Sequence, residues 1–161
     1  MHCSRKGIEQ RREYSRGEEL VMRIFFDTSA VVPLLLNEER SVTAHEYWTT
    51  CQEAWAWDWL TIDTEAALIR QKADNTAWAA WRQISNAFTL CELSATRFAE
   101  LRAFNRNLGL RAADAAHLFL FDQLVTRLPD LCLLTFDREM AQAAHNLALP
   151  LHPRTVDILG K

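Results

Sequence analysis

The sequence predicts an α/β protein built on a parallel sheet, and three observations predict it. The apolar run Arg23-Ile24-Phe25-Phe26 stops abruptly at Asp27-Thr28-Ser29, after which apolar character resumes at helical spacing. The same succession of strand, acid and helix returns late in the chain, where Leu131-Cys132-Leu133-Leu134-Thr135 leads through Phe136-Asp137-Arg138 into a helical segment. Between them lie several stretches of helical period. In an open α/β sheet ligands bind at the carboxyl ends of the strands, because loops and helix N-termini converge there, so Asp27 stands where chemistry is usually done.

Composition sets the outer bounds. A chain of 161 residues, 49% of them hydrophobic, suits one domain with a sizeable core. Its formal charge of -3 provides no general attraction for nucleic acid, so a role on RNA would need a local basic patch or bound cations. Cys3, Cys51, Cys91 and Cys132 form no CxxC pair and have no neighbouring histidine, which argues against zinc and for reduced thiols in a cytoplasmic protein. No apolar run is long enough to span a bilayer, and the N-terminus lacks the apolar centre of a signal peptide.

Taken in order, residues 1–21 are polar, charged and without a hydrophobic period, and read as a disordered tail. Gly17-Glu18-Glu19 must be encoded by a purine-rich run just ahead of Met22, as a bacterial ribosome-binding site would be. Met22 is therefore expected to be the native start and residues 1–21 a misannotated leader. After Asp27, Ala30 to Leu36 fits a buried helix that tolerates Pro33 near its start, and Asn37-Glu38-Glu39 closes it. Ser41 can cap a second helix through His45, Tyr47 and Trp48. Trp55, Trp57 and Trp59 then alternate with other residues; base stacking would use such a pattern, but core packing accounts for it more simply. Leu60 to Thr64 reads as a short strand that passes, through an Asp or Thr cap, into a helix beginning at Glu65. Asn75-Thr76 opens a helix whose Trp78, Trp81 and Ile84 make one apolar face.

Ser94 can cap the next helix, with Phe98, Leu101, Phe104 and Leu108 on one side, Arg97, Arg102 and Arg106 on the other, and Gly109 as its C-terminal cap. From Ala112 a densely apolar helix runs to Asp122. Asp114 lies in its first turn, where the helix dipole favours a carboxylate but burial opposes it unless a partner or metal is present. After Leu131 to Thr135, a helix from Glu139 to Leu147 carries the chain to a last short strand at Leu149-Pro150-Leu151. Residues 154–161 read as a C-terminal tail.

Asp27, Glu65, Asp114 and Asp137 thus each fall at a predicted strand end or helix N-terminus, which in a parallel sheet is one edge of the molecule. Singly, each has an ordinary explanation as a helix cap or first-turn acid. Jointly they would repel, and a bound divalent cation is the simplest way to keep them ionised. Oxygen ligands alone suit Mg²⁺ or Mn²⁺, whose usual partner is a substrate phosphate.

These residues also resemble a family, the PIN-domain nucleases, and within it the VapC-type toxins of type II toxin-antitoxin pairs. The resemblance spans residues 22–153 and is carried by FFDTSAVVPLLLNE, the acid in TEAALIR, the segment LGLRAADAAHLFL and the closing LLTFDREMAQAAHNLALPLHP. It implies a three-layer α/β/α sandwich with a central parallel sheet and a Mg²⁺- or Mn²⁺-dependent endoribonuclease site. It also implies frequent homodimers and a cognate antitoxin. The acids carried over are Asp27 and Asp114 as principal metal ligands, Glu65 ligating or positioning a water, and Asp137 completing the cluster, with Thr28 and Thr135 in support. The departure from the family pattern is at Glu65, where Asp63 lies close by.

Arg97, Arg102, Arg106 and Arg111 offer a positive patch for RNA phosphates or an acidic antitoxin segment, although each also fits an ordinary solvated helix face. His117 is expected to be satisfied internally on its buried helix. Two other phosphate chemistries place an acid after a first strand, but haloacid dehalogenase-type phosphotransferases would want an Asp at Ser29, and response-regulator receivers a late lysine that is missing. A PIN-type RNA-processing nuclease without an antitoxin and a catalytically silent PIN-like binding module stay open.

Overall fold

The computed structural model describes residues 22–37 and 39–160; the expected leader, residues 1–21, lies outside them. Four strands, β1 (Arg23–Phe26), β2 (Glu53–Trp57), β3 (Phe88–Cys91) and β4 (Leu131–Leu134), form one sheet among the described residues, in the order β3-β2-β1-β4. Every pairing is parallel, with Phe25 in register between Trp55 and Leu133. Parallel neighbours need crossover connections. These are made by α1 (Thr28–Leu35) and α2 (Ser41–Thr50) after β1, and by α3 (Leu60–Arg70) and α4 (Asn75–Ser85) after β2. A 3₁₀ turn (Ala95–Arg97), α5 (Phe98–Asn105) and α6 (Ala112–Val125) follow β3, and α7 (Arg138–Asn146) and α8 (Pro153–Leu159) follow β4.

Period-two alternation divides each central strand between two cores. Ile24 and Phe26 of β1, Ala54 and Ala56 of β2 and Leu134 of β4 pack with Val31, Tyr47 and Trp81. Phe25, Trp57, Leu131 and Leu133 face the other way, onto Leu118, Phe121 and Met140. Helices therefore cover both faces, giving the three-layer α/β/α sandwich with a central parallel sheet. Among the described residues no helix is long and apolar enough to cross a membrane.

Several elements differ from what local sequence suggests. Leu60 to Thr64 is the first turn and a half of α3, not a strand. The strand lies just before it, in Glu53–Trp57, where the tryptophans pack on one face and alanines leave room for helices on the other. A β-branched run therefore yields to tertiary packing. β3 is a short edge strand with Thr89 and Leu90 exposed, which gives it little hydrophobic signature. Leu151 makes a single parallel bridge to Leu133 instead of a strand. Ser41 lies inside α2 and donates its hydroxyl to Leu36 O at 2.7 Å, so it ties the loop to the helix. Residues 153–159 form a helix because Pro153 starts it and His152 Nδ1 accepts from Arg154 N at 3.2 Å.

The approach to α6 depends on Gly109, whose φ of 67° is left-handed and whose N–H donates to Asn105 O at 2.9 Å. Asn105 then brackets the next residue, its Oδ1 accepting from Leu110 N and its Nδ2 donating to Leu110 O, each at 2.9 Å. A Cβ at position 109 would meet nothing within 4 Å, so a substitution there bears on the backbone alone. Gly109→Ala is expected to lower stability by about 1 kcal/mol and Gly109→Asn by less, as read by urea denaturation.

Candidate functional site

The strand order reverses at β1: the chain leaves it toward β2 and β3, then crosses back to place β4 on its other side. A crevice opens at such a switch point, beyond the carboxyl ends of the two strands. Here it is a cleft of about 340 Å³ lined by Asp27, Asp63, Asp114, His117 and Asp137, with Arg70 and Arg111 at the same surface.

Asp27 is only 6% exposed, and its position is set by hydroxyls. Oδ2 accepts from the Ser29 hydroxyl, from Ser29 N at 3.2 Å and from Thr135 Oγ1 at 2.9 Å. Ser29 Oγ also accepts from Phe136 N at 2.8 Å, and Thr135 Oγ1 from Asp137 N at 3.0 Å. The turn after β1 is thereby laced to the turn after β4. Asp27 N extends the ladder by donating to Leu134 O at 3.0 Å. Beneath this, Thr155 of α8 accepts from Thr135 N at 3.0 Å and donates to Thr135 O at 3.0 Å. Among the described residues nothing donates a hydrogen bond to the other oxygen of Asp27, Oδ1.

Asp114 and His117 are three apart on α6 and so share its cleft-facing side. Burial, then the charges of Asp27 and Asp137, push the Asp114 carboxyl up to about 6 against the opposing pull of Arg111. Asp137 caps α7, its Oδ1 accepting from Met140 N at 2.8 Å. His117 Nδ1 is 4.0 Å from Asp27 Oδ1, but burial outweighs the attraction of Asp27 and Asp63 and holds the imidazole pKa below its usual value. The contact is therefore not an ion pair near neutral pH. Among the described residues both ring nitrogens lack a hydrogen-bond partner, as does Thr28 Oγ1, so the expectation of an internally satisfied histidine does not hold there. Its ring packs edge-on against Trp57, 5.1 Å between centroids.

Of the acids singled out in the sequence, Asp27, Asp114 and Asp137 meet at this cleft, while Glu65 does not line it. Glu65 is exposed on α3 and accepts from Trp81 Nε1 at 3.3 Å. Asp63 lines the cleft in its place. Two residues along a helix turn the side chain by about 200°, so only one of the pair can face inward, and α3 starting at Leu60 decides which. Arg70, seven residues on, shares the Asp63 face. Thr135 holds Asp27, but the hydroxyl beside it is that of Ser29, not Thr28. An acid followed two residues later by a hydroxyl at a helix start is a visible sign of that clasp; Thr155 left no such sign. Of the four arginines, Arg111 lines the cleft. Arg97 is engaged by Glu100 at 2.6 Å and Gln123 at 3.0 Å, and Arg102 and Arg106 are exposed on and after α5.

Among the described residues no three His, Cys, Asp or Glu side chains are gathered closely enough to hold a metal ion by themselves. The donor set nonetheless fits a hard cation of the Mg²⁺ kind, which keeps several waters and takes one or two carboxylates plus a phosphate. Asp27 Oδ1 is open, and Asp114 is crowded by like charge.

A PIN-like α/β/α fold with an acidic cleft at its switch point is thus the class that the architecture defines. Among solved structures the chain is similar to Mycobacterium tuberculosis VapC20, described as a Sarcin-Ricin loop cleaving toxin, at TM-score 0.58 and 20% identity, covering 74% of this chain and 94% of that one. It is also similar to PAE2754 from Pyrobaculum aerophilum, at TM-score 0.55 and 18% identity, covering 92% of this chain and 96% of that one. No protein-family model and no curated protein matches the sequence. The likeness is one of fold.

The raised Asp114 carboxyl fixes the sign of a stability effect. Its folded pKa lies above the unfolded value of 3.8, so the folded state binds more protons and loses stability as pH rises from about 4 to about 6. Asp114→Asn is expected to stabilise the metal-free protein at pH 7.5, by on the order of 1 kcal/mol after solvent screening. The gain should vanish at pH 4, as followed by thermal denaturation across that range.

Proposed function

We propose that this chain is a divalent-metal-dependent endoribonuclease, the VapC-type toxin of a toxin-antitoxin pair, hydrolysing RNA phosphodiester bonds with water as the nucleophile. The observation that carries this reading is the convergence of Asp27, Asp63, Asp114 and Asp137 on one cleft at the switch point, with the Asp114 carboxyl raised by burial and then by its neighbours' charge. The fold shared with a toxin that cleaves the Sarcin-Ricin loop supports it.

Asp27 through Oδ1 and Asp114 would hold Mg²⁺ or Mn²⁺, with Asp63 and Asp137 beside them. When bound, such an ion supplies Lewis acidity toward water and a phosphodiester oxygen. The chain's own residues do the rest. Ser29 and Thr135 hold the Asp27 carboxylate in one orientation, so little reorganisation is needed when substrate arrives. Arg70 and Arg111 place positive charge against a backbone that the acids alone would repel. His117 and Thr28 line the cleft, and the His117 ring nitrogens and the Thr28 hydroxyl are buried there without a hydrogen-bond partner among the described residues. Asp63 takes the role that the family resemblance assigns to Glu65. The functional unit extends from residue 22 through α8, because Thr155 supports Thr135. A cognate antitoxin, a homodimer and a cytoplasmic setting belong to the same proposal.

RNA cleavage with Mg²⁺ or Mn²⁺, with and without chelator, tests this. Asp27→Asn and Asp114→Asn should each reduce cleavage by roughly 100-fold or more, and Asp63→Asn should cost far more than Glu65→Gln. Activity surviving the first two substitutions would refute the reading. Metal binding without cleavage of any RNA would favour the silent binding module, which the absence of a ready-made three-residue ion site among the described residues keeps in view.

A further inference from the structure

We propose that an arginine-lined pocket beside the acidic cleft is a nucleotide-binding subsite, holding a phosphate and a base of single-stranded RNA next to the bond that is cut. The inference rests on the nuclease reading only for its substrate. The pocket, about 340 Å³, is lined by Arg40, Phe136, Arg138 and Arg154 together with Thr43 and Asp157. Phe136 and Arg138 flank Asp137 in the chain, so the pocket begins one residue from the acids. A second hollow adjoins both, since it shares Thr28, Ser29 and Arg70 with the cleft and Arg40 with the pocket.

Chemistry chooses the occupant. Three arginines face one aspartate there, in a chain whose formal charge is -3. Arg154 is committed to Glu46 at 2.9 Å and Asp157 at 3.6 Å. Among the described residues neither Arg40 nor Arg138 has a carboxylate within ion-pair distance, and both are exposed. Arg40 lies over Phe136, 4.7 Å from guanidinium carbon to ring centroid, and Phe136 is backed in turn by Tyr47. An exposed arginine paired with an aromatic ring supplies the two kinds of group on which bases of single-stranded RNA stack. Arg138 then supplies a forked donor set for the adjoining phosphate. An acidic peptide could pair with the arginines but would leave the arginine–aromatic pair unused. RNA is therefore favoured.

The test measures binding separately from cleavage. The full chain, in chelator, is titrated into a fluorescently labelled ten-nucleotide single-stranded RNA of mixed sequence, and in parallel into an oligoglutamate of similar charge. Arg40→Ala with Arg138→Ala, both at exposed positions, should weaken RNA binding about tenfold and flatten the slope of log affinity against log salt by about 0.7 per arginine. Arg40→Lys should rescue the salt slope but not the full affinity, because a lysine has no plane to stack. The Tm of each variant establishes that the fold is kept. RNA affinity unchanged in the double variant, or absent in the wild type, would overturn the subsite. Loss of oligoglutamate binding alone would assign the pocket to a peptide and overturn it equally. Intact, arginine-dependent RNA binding in a chain that cleaves nothing would sink the nuclease reading and leave the subsite standing.

Discussion

The whole cleft depends on one buried carboxylate. Asp27 is removed from water almost completely, and such a group is costly unless its oxygens are satisfied. Its Oδ2 is satisfied three times over, by the backbone and hydroxyl of Ser29 and the hydroxyl of Thr135. Those donors belong to the turns after two neighbouring parallel strands, so satisfying the acid also fixes the distance between the strand ends. Asp137 is carried along, because its own N–H donates to Thr135. The clasp leaves Oδ1 turned toward the cleft.

Support for the clasp comes from far along the chain. Thr155, in the first turn of α8, brackets the end of β4 through its hydroxyl, which accepts from Thr135 N and donates to Thr135 O, with Leu133 O a second acceptor 3.3 Å away. A helix at the C-terminal end of the described residues is thereby coupled to the acid after the first strand. Local loosening of α8 would reach Thr135, and through it the orientation of Asp27.

Charge is partitioned over short distances. The cleft gathers acids, and there burial, then the charges of Asp27 and Asp137, raise the Asp114 carboxyl, while Arg70 and Arg111 border the cleft and Arg40 and Arg138 lie just beyond. A polyanion is repelled by the first group and attracted by the others. Net charge is uninformative about such a surface, because electrostatic interaction in water decays over about 8–10 Å at moderate salt.

The sequence by itself determined the strand-acid-helix units at Asp27 and Asp137, the buried helix that carries Asp114, and the left-handed turn at Gly109. Each is a local pattern in which periodicity, a cap or a glycine conformation points to one answer. Tertiary structure alone decided the rest. Trp55 and Trp57 belong to a strand because two helical layers compete for its faces, and Leu60 to Thr64 becomes helical because that strand has already ended. Where α3 starts sets which of Asp63 and Glu65 looks inward, a choice made by a rotation of about 200° that residue type cannot reveal. The reach of Ser29 to Phe136, the role of Thr155 and the seating of Arg40 over Phe136 arise between residues some twenty to a hundred positions apart. No local pattern records them, because the partner that gives each its meaning is brought near only by the fold.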